Sequence, residues 1–165
     1  MSEITCDDFY DGRVKLYQPK KGFRAGTDSL LLASALDAAF QGQALEIGCG
    51  AGGALLPAAF RLSVARFTGL EVDADMAVLA RRGVDANGLN DRVEIIDGSV
   101  VSLPNDWQNR FDLVFSNPPF FETGTIQAPG TGKETAYLES VPLKDWINAM
   151  LFALRPKGRF VMVHR

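Results

Sequence analysis

QALEIGCGAGG, residues 43–53, decides how the rest of the chain is read. QALEIG has the apolar content of a buried strand, and AGGALLPAAFRL, which follows from Ala51, has that of a helix opening on glycines. A strand that turns at once into a helix through Gly48, Gly50, Gly52 and Gly53 is the first half of a βα unit, and its turn lets backbone come close to a ligand. Glycines at this point also predict free N–H groups at the helix start, able to hold polar or anionic groups.

Outward from this turn the same alternation repeats. Upstream, Thr27 is placed to cap a helix through SLLLASALDAAF to about Phe40, with Gly42 behind it as a stop. Downstream, ARFTGLEV reads as a second strand and residues 74–87 as a helix facing inward through Ala77, Ala80 and Val84. VEIID and FDLVFS are a third and a fourth strand, residues 142–154 a helix, and GRFVMV a fifth strand. Between the fourth strand and that helix, roughly Asn117 to Ser140, lies the longest irregular stretch; its part from Phe121 to Ser140, with Gly124, Gly130 and Gly132 and few apolar anchors, reads as a lid over a substrate. Strands joined by helices of this length give a doubly wound α/β layer, a mainly parallel sheet with helices on both faces, whose ligands bind at the carboxyl ends of the strands.

Composition narrows the class. The 165 residues suit one domain, and 47% hydrophobic with 22% charged residues is the balance of a globular chain with a core, which excludes disordered and fibrous classes. No apolar run approaches the roughly 18 residues of a membrane span. The acidic start MSEITCDDFYDG lacks the basic-then-apolar order of a signal peptide, so a cytoplasmic protein is expected. Cys6, Cys49 and the single His164 do not make a four-ligand zinc centre or a disulfide framework, and no metal is expected. A formal net charge of −3 argues against wholesale coating of nucleic acid, but the charge is uneven. Arg13, Lys15, Lys20, Lys21 and Arg24 fall in a stretch without acids, interleaved with Tyr17 and Phe23, whereas residues 1–12 carry Glu3, Asp7, Asp8 and Asp11. Residues 1–26 therefore read as an N-terminal extension or hairpin, either contacting RNA phosphates or simply solvated, ahead of a core spanning residues 27–165.

The strand ends carry the chemistry. Gly48, Gly50 and Gly53 satisfy G-x-G-x-x-G, so a dinucleotide reading is open on that motif alone. Glu71 ends the second strand 23 residues after Gly48, where a carboxylate accepts the hydroxyls of a ribose in either nucleotide reading. Glu46, two residues before Gly48, separates the two: an acid where a pyrophosphate would lie suits a cationic nucleoside, S-adenosylmethionine, better. Asp97 after the third strand and Asn117-Pro118-Pro119-Phe120 after the fourth point the same way.

LEIGCGAG, GLEVD, the Asp97 turn and FDLVFSNPPF, in that order, resemble the S-adenosylmethionine sites of class I methyltransferases, and the NPPF form is similar to that of enzymes methylating exocyclic or amide nitrogens. QPKKGFRAGTDSLLLA is similar to the segment before the first strand in bacterial methyltransferases that modify N6 of the adenine beside the anticodon of a valine tRNA. The resemblance runs from about Asp7 to Arg165 and implies a Rossmann-like fold. It puts Glu46, Gly48, Gly50 and Gly52 at the methionine end of the cofactor, Glu71 at the ribose, Asp97 at the adenine amino group, and Asn117, Pro118, Pro119 and Phe120 at the target base. Family members continue past the fifth strand through a helix and an antiparallel strand pair, so a chain ending at Arg165 reads as C-terminally truncated, with an open edge at GRFVMV.

The implied reaction is N-methylation of adenine in RNA, most simply a tRNA. An exocyclic amine is a poor nucleophile because its lone pair is delocalised, and two acceptors, the Asn117 side-chain oxygen and the Pro118 carbonyl, would orient it. Phe120 would stack on the extruded base. Other acceptors on the same fold, namely a guanine amine, a protein glutamine or a small-molecule hydroxyl, are the alternatives, as is a non-catalytic nucleoside- or RNA-binding module. A nicotinamide dehydrogenase is disfavoured for want of a visible Tyr-Lys or His-Asp relay.

Overall fold

A computed structural model describes residues 3–22, 24–119 and 141–164. Phe120, Phe23 and the glycine-rich stretch expected to form a lid lie outside the described residues, as does Arg165. The described elements are β1 (Ile4–Phe9), β2 (Val14–Pro19), α1 (Thr27–Ala35), β3 (Gln43–Ile47), α2 (Leu55–Arg61), β4 (Arg66–Glu71), α3 (Ala74–Ala86), β5 (Val93–Asp97), β6 (Phe111–Ser116), α4 (Leu143–Ala153) and β7 (Leu154–Met162).

β3 to β7 form one parallel sheet in the order β5-β4-β3-β6-β7, with β3 at its centre. β3 is buried from Ala44 to Ile47, and Ala44, Leu45 and Ile47 are apolar because both of its faces are covered. Its alternate residues go to opposite sides: Ala44 joins a core with Leu32, Leu55, Leu56 and Ala80, on the side of α1, α2 and α3. Leu45 and Ile47 join a second core with Trp146 and Met150 of α4. The period of two therefore aims Glu46 at the α1–α2 side, away from α4. Strand order reverses beside β3, so its carboxyl end and that of β6 flank the switch point where ligands of such sheets bind.

The two ends of the chain show where sequence patterns mislead. α1 stops at Ala35 rather than at Phe40, because Leu36 turns extended (ψ 141°) and the Asp37 side chain accepts the Ala39 N–H at 2.9 Å, forming a local turn that competes with helix. Thr27 is the first helical residue; Gly26 holds the cap position, and no side chain caps it. β7 begins at Leu154, directly out of α4, and its irregular register against β6 between Phe111 and Leu113 absorbs the positive φ of Lys157. β7 is the edge of the described sheet.

β1 and β2 form a separate antiparallel hairpin turned by Tyr10, Asp11 and Gly12, all at positive φ. It is not an appendage. Val14 and Leu16 are fully buried in the same core as α2 and α3, and Asn87 at the end of α3 clamps β2 by accepting the Lys15 N–H at 2.9 Å and donating to the Lys15 carbonyl at 2.8 Å.

Candidate functional site

The turn after β3 is held by carboxylates and carbonyls of its neighbours. Gly48 and Cys49 both donate their N–H to the Leu70 carbonyl, at 2.8 and 3.0 Å, which bends the chain over the end of β4. Gly48 sits at φ +72°, and a Cβ there would stand 2.8 Å from Cη2 of Trp146; left-handed backbone and the ring beneath it both require glycine. Gly53 has a different reason, because a Cβ on it would run into the Ala25 side chain and stand 3.2 Å from Ser29 Oγ. The segment entering α1 therefore lies flush on the glycine turn.

Glu71, at the end of β4, is buried. Its Oε2 accepts the Gly50 N–H at 2.7 Å, and its Oε1 accepts those of Val72 and Asp73, both at 2.9 Å. Burial raises its pKa above the ordinary range against the pull of these three donors. Asp73 caps α3 by accepting from Asp75 and Met76 at 2.9 and 3.2 Å. Glu71 thus ties the glycine turn to the start of α3, a structural duty that its sequence position alone did not reveal.

Glu46 is more confined still. Its side chain is 2% exposed, and burial, followed by repulsion from Glu71, pushes its carboxyl well above the usual range, opposed by the Leu55 backbone N–H. Its Oε2 has no hydrogen-bond partner among the described residues. The expected free N–H groups of the glycine turn are therefore largely spoken for: those of Gly50 and Leu55 go to Glu71 and Glu46, those of Gly48 and Cys49 to Leu70, and Leu56 donates to the Gly52 carbonyl at 3.0 Å.

Asn117 follows β6, whose last residue, Ser116, is fully buried and donates its hydroxyl to the Ile47 carbonyl at 2.7 Å. This cross-strand bond fixes the end of β6 against the end of β3 and so places Asn117 beside the glycine turn. The Asn117 Oδ1 is buried and also lacks a partner. Glu46, Gly48, Gly50 and Asn117 share a cavity of about 30 Å³ with Ala25, Ser29 and Gln18 among its walls. Its lining includes two buried acceptors with no donor to match them, and space of this size takes about one water or one small polar group.

Other expected site residues are arranged differently. Gly52, at φ +92°, turns away and donates to the Cys49 carbonyl at 2.9 Å. Pro118 is buried and Pro119 half-buried beside Asn117. Asp97 stands next to Glu71 in strand register but is exposed, paired at 2.6 Å with Arg81 of α3. Sequence reasoning missed Ser116, Trp146 and Gln18. The signal for Gln18 was a polar residue at an inward position of a strand face otherwise made of Val14 and Leu16; Ser116 shares its face with Val114 and Asp112, so its place in the strand gave none. Trp146, whose buried Nε1 has no partner, carried no such signal.

The cationic stretch of the hairpin folds into pairs. Lys15 meets Asp8, Lys20 meets Glu3 at 3.0 Å, and Arg24 meets Asp7 at 2.6 Å, so Glu3 and two acids of β1 neutralise three of its five charges. Arg13 and Lys21 are exposed, and neither has an ion-pair partner among the described residues. Tyr17 lies under the guanidinium of Arg82, 4.1 Å from ring centre to Cζ. Among the described residues no helix is long and apolar enough to cross a membrane.

Comparison with known proteins places the chain among methyltransferases. The chain is 34% identical, over 97% of its length, to a tRNA1(Val) (adenine(37)-N6)-methyltransferase from Porphyromonas gingivalis, and it spans 66% of that relative. It is 36% identical to a release factor glutamine methyltransferase from Chlorobaculum tepidum over 59% of this chain and 35% of the other. A solved structure described as a predicted O-methyltransferase from Agrobacterium tumefaciens superposes with a TM-score of 0.63 at 25% identity, covering 84% of this chain and 62% of that one. The model of the methyltransferase small domain matches residues 21–134, a span holding the glycine turn, Glu46, Glu71 and Asn117, and the chain belongs to that family.

Proposed function

We propose that this protein is an S-adenosylmethionine-dependent N-methyltransferase acting on adenine N6 in a tRNA, and hence works in the cytoplasm. The observation that carries the proposal is the pair of buried, unpartnered acceptors, Glu46 Oε2 and Asn117 Oδ1, on the lining of one cavity at the end of β3. Buried acceptors are costly to leave unmatched, and a ligand that brings N–H donors matches them. The cofactor supplies an ammonium group and a methyl carbon made electrophilic by its sulfonium. A pyrophosphate would meet the opposite situation, with Glu46 and Glu71 behind the turn and most of its N–H groups already engaged.

In this reading Glu46 receives the cationic end of the cofactor, and Glu71 holds Gly50 in place while its remaining lone pair serves the ribose. Asp97, if Arg81 yields, reaches the adenine amino group. Asn117 accepts one hydrogen of the target amine and holds its lone pair in line with the methyl carbon. That bond tightens as the nitrogen becomes positive, so it lowers the barrier more than it raises ground-state affinity. Pro118 and Pro119 bring no N–H to compete for the amine and restrict the backbone that carries Asn117. To Phe120, the next residue in sequence, we assign stacking on the base. We assign residues 27–165 to this catalytic core and the hairpin within residues 1–26 to a contact with the RNA backbone, through Arg13 and Lys21 first.

The test is to incubate the protein with a labelled methyl donor and total RNA, then identify the modified nucleoside by mass spectrometry. N6-methyladenosine in a tRNA is the expected product. Label in protein glutamine instead, an outcome favoured by the similarity to the release factor enzyme, would move the acceptor while keeping the cofactor.

A further inference from the structure

The inner face of β2 should be apolar throughout, since Val14 and Leu16 are buried in the core, yet the next inward position is Gln18, only 3% exposed. A buried amide is tolerated only when both its ends are bonded. Gln18 Oε1 accepts the Ala25 N–H at 3.0 Å, and Gln18 Nε2 donates to Asp7 Oδ2 at 2.6 Å. The same Asp7 oxygen accepts from Arg24 Nη2 at 2.6 Å and from Thr5 at 3.1 Å, and Arg24 Nη1 donates to the Pro19 carbonyl at 2.6 Å. Two consecutive residues, Arg24 and Ala25, are therefore tied to the hairpin just before α1 begins.

What they tie down is a wall of the ligand cavity. Ala25 and Ser29 line it, as does Gln18 itself, and both pack against Gly53 with no room for a Cβ between. A shift in the segment entering α1 would be felt directly at the glycine turn, because packed interiors transmit displacement.

We propose that Gln18 is a positioning residue for the methyl-donor site, holding Ala25 and the first turn of α1 against the glycine turn and thereby setting cofactor affinity. The hairpin is then a working part of the cofactor pocket. This rests on the methyl-donor reading above.

The experiment measures binding of S-adenosylhomocysteine by calorimetry, and methylation kinetics, in the intact protein. Gln18→Ala leaves the Ala25 N–H without its acceptor, and affinity is expected to fall about 5- to 100-fold, the range for a buried group left unsatisfied. The KM for the methyl donor should rise in step while kcat at saturation changes little. Gln18→Glu in its protonated form keeps both an oxygen that accepts the Ala25 N–H and an O–H that donates to Asp7 Oδ2, so at acid pH it should recover most of the affinity relative to the wild type at the same pH. Asn87→Ala loosens the hairpin elsewhere, through its bonds to Lys15, and should lower the melting temperature without changing affinity more than about twofold. Wild-type affinity in Gln18→Ala, an equal loss in Asn87→Ala, or no recovery in Gln18→Glu at acid pH would each overturn the positioning role. If the wild-type protein bound no S-adenosylhomocysteine, the methyl-donor reading itself would fall, and this inference with it.

Discussion

The carboxyl ends of β3 and β6 and the β1–β2 hairpin are both rich in polar groups, and they treat them in opposite ways. In the hairpin, Asp7 gathers Gln18, Arg24 and Thr5, Asp8 meets Lys15 and Glu3 meets Lys20, so these six charged side chains are matched within the fold. At the strand ends, Glu46 Oε2 and Asn117 Oδ1 are buried without partners. Matched polarity describes what holds a structure in shape. Buried polarity left unmatched marks where something else is meant to bind, since folding alone gives no return for its desolvation.

The largest effect that would break this contrast lies at Asn117. If its oxygen awaits the amine of the methyl acceptor, Asn117→Ala should leave cofactor affinity nearly intact while turnover falls roughly 10²-fold or more, the scale for loss of one preorganised polar partner. Asn117→Asp should retain part of the rate, because a carboxylate still accepts the bond and favours the charge developing on nitrogen. Wild-type turnover in the alanine variant would make the orphan oxygen irrelevant to chemistry and favour an oxygen nucleophile.

Glu71 stands between the two regions, since its carboxylate is matched to three backbone donors and yet lies at the site. Glu71→Ala unties Gly50 and removes the proposed ribose acceptor together. Cofactor binding should weaken by about 1–3 kcal/mol, and thermal stability should fall as well. Lost stability with unchanged affinity would move Glu71 wholly into the structural class.

The sequence pattern was most legible where a single period governed. β5 and β6 fell on VEIID and FDLVFS, and α3 came within a residue of its expected end, because apolar spacing and flanking turn residues agreed there. The glycine turn and the acids at the strand ends were legible because few side-chain types permit that backbone. Tertiary matching was not legible. The count of cations between Arg13 and Arg24 could not show that the antiparallel hairpin brings Asp8, Glu3 and Asp7 to three of them. Nor could Glu71, read as a ribose acceptor, reveal its three backbone donors. Gln18 and Ser116 become meaningful only once strands distant in sequence are side by side, as the Ser116 bond to Ile47 shows.

Glu46 sharpens the contrast through pH. Its carboxyl is held well above the ordinary value of 4.5, so the folded protein retains a proton that the unfolded chain releases. The resulting stabilisation is present below about pH 4.5 and is lost as pH rises through the folded pKa. Glu46→Gln should flatten that part of the stability–pH curve. A cationic ligand beside Glu46 favours the carboxylate, so binding should release up to about one proton between the two values, visible as a binding enthalpy that depends on the ionisation enthalpy of the buffer. Buffer-independent enthalpy throughout that interval would mean that the cation does not face Glu46.

The smallest effects belong to the hairpin surface. Lys15 and Lys20 are half-exposed and already paired with Asp8 and Glu3, whereas Arg13 and Lys21 have no ion-pair partner among the described residues. Counterion release depends on the phosphates a protein neutralises, and a lysine held by a neighbouring acid gains less from meeting one. Arg13→Gln with Lys21→Gln should therefore reduce the slope of log affinity against log salt for tRNA by up to about 2, while Lys15→Gln with Lys20→Gln should change it by less. The same four substitutions should each leave the melting temperature nearly unchanged, since exposed charges contribute little to stability. Equal slopes for both pairs would show that RNA displaces the β1 acids from their lysines, and the matched charges of the hairpin would then be as available to a ligand as the unmatched ones.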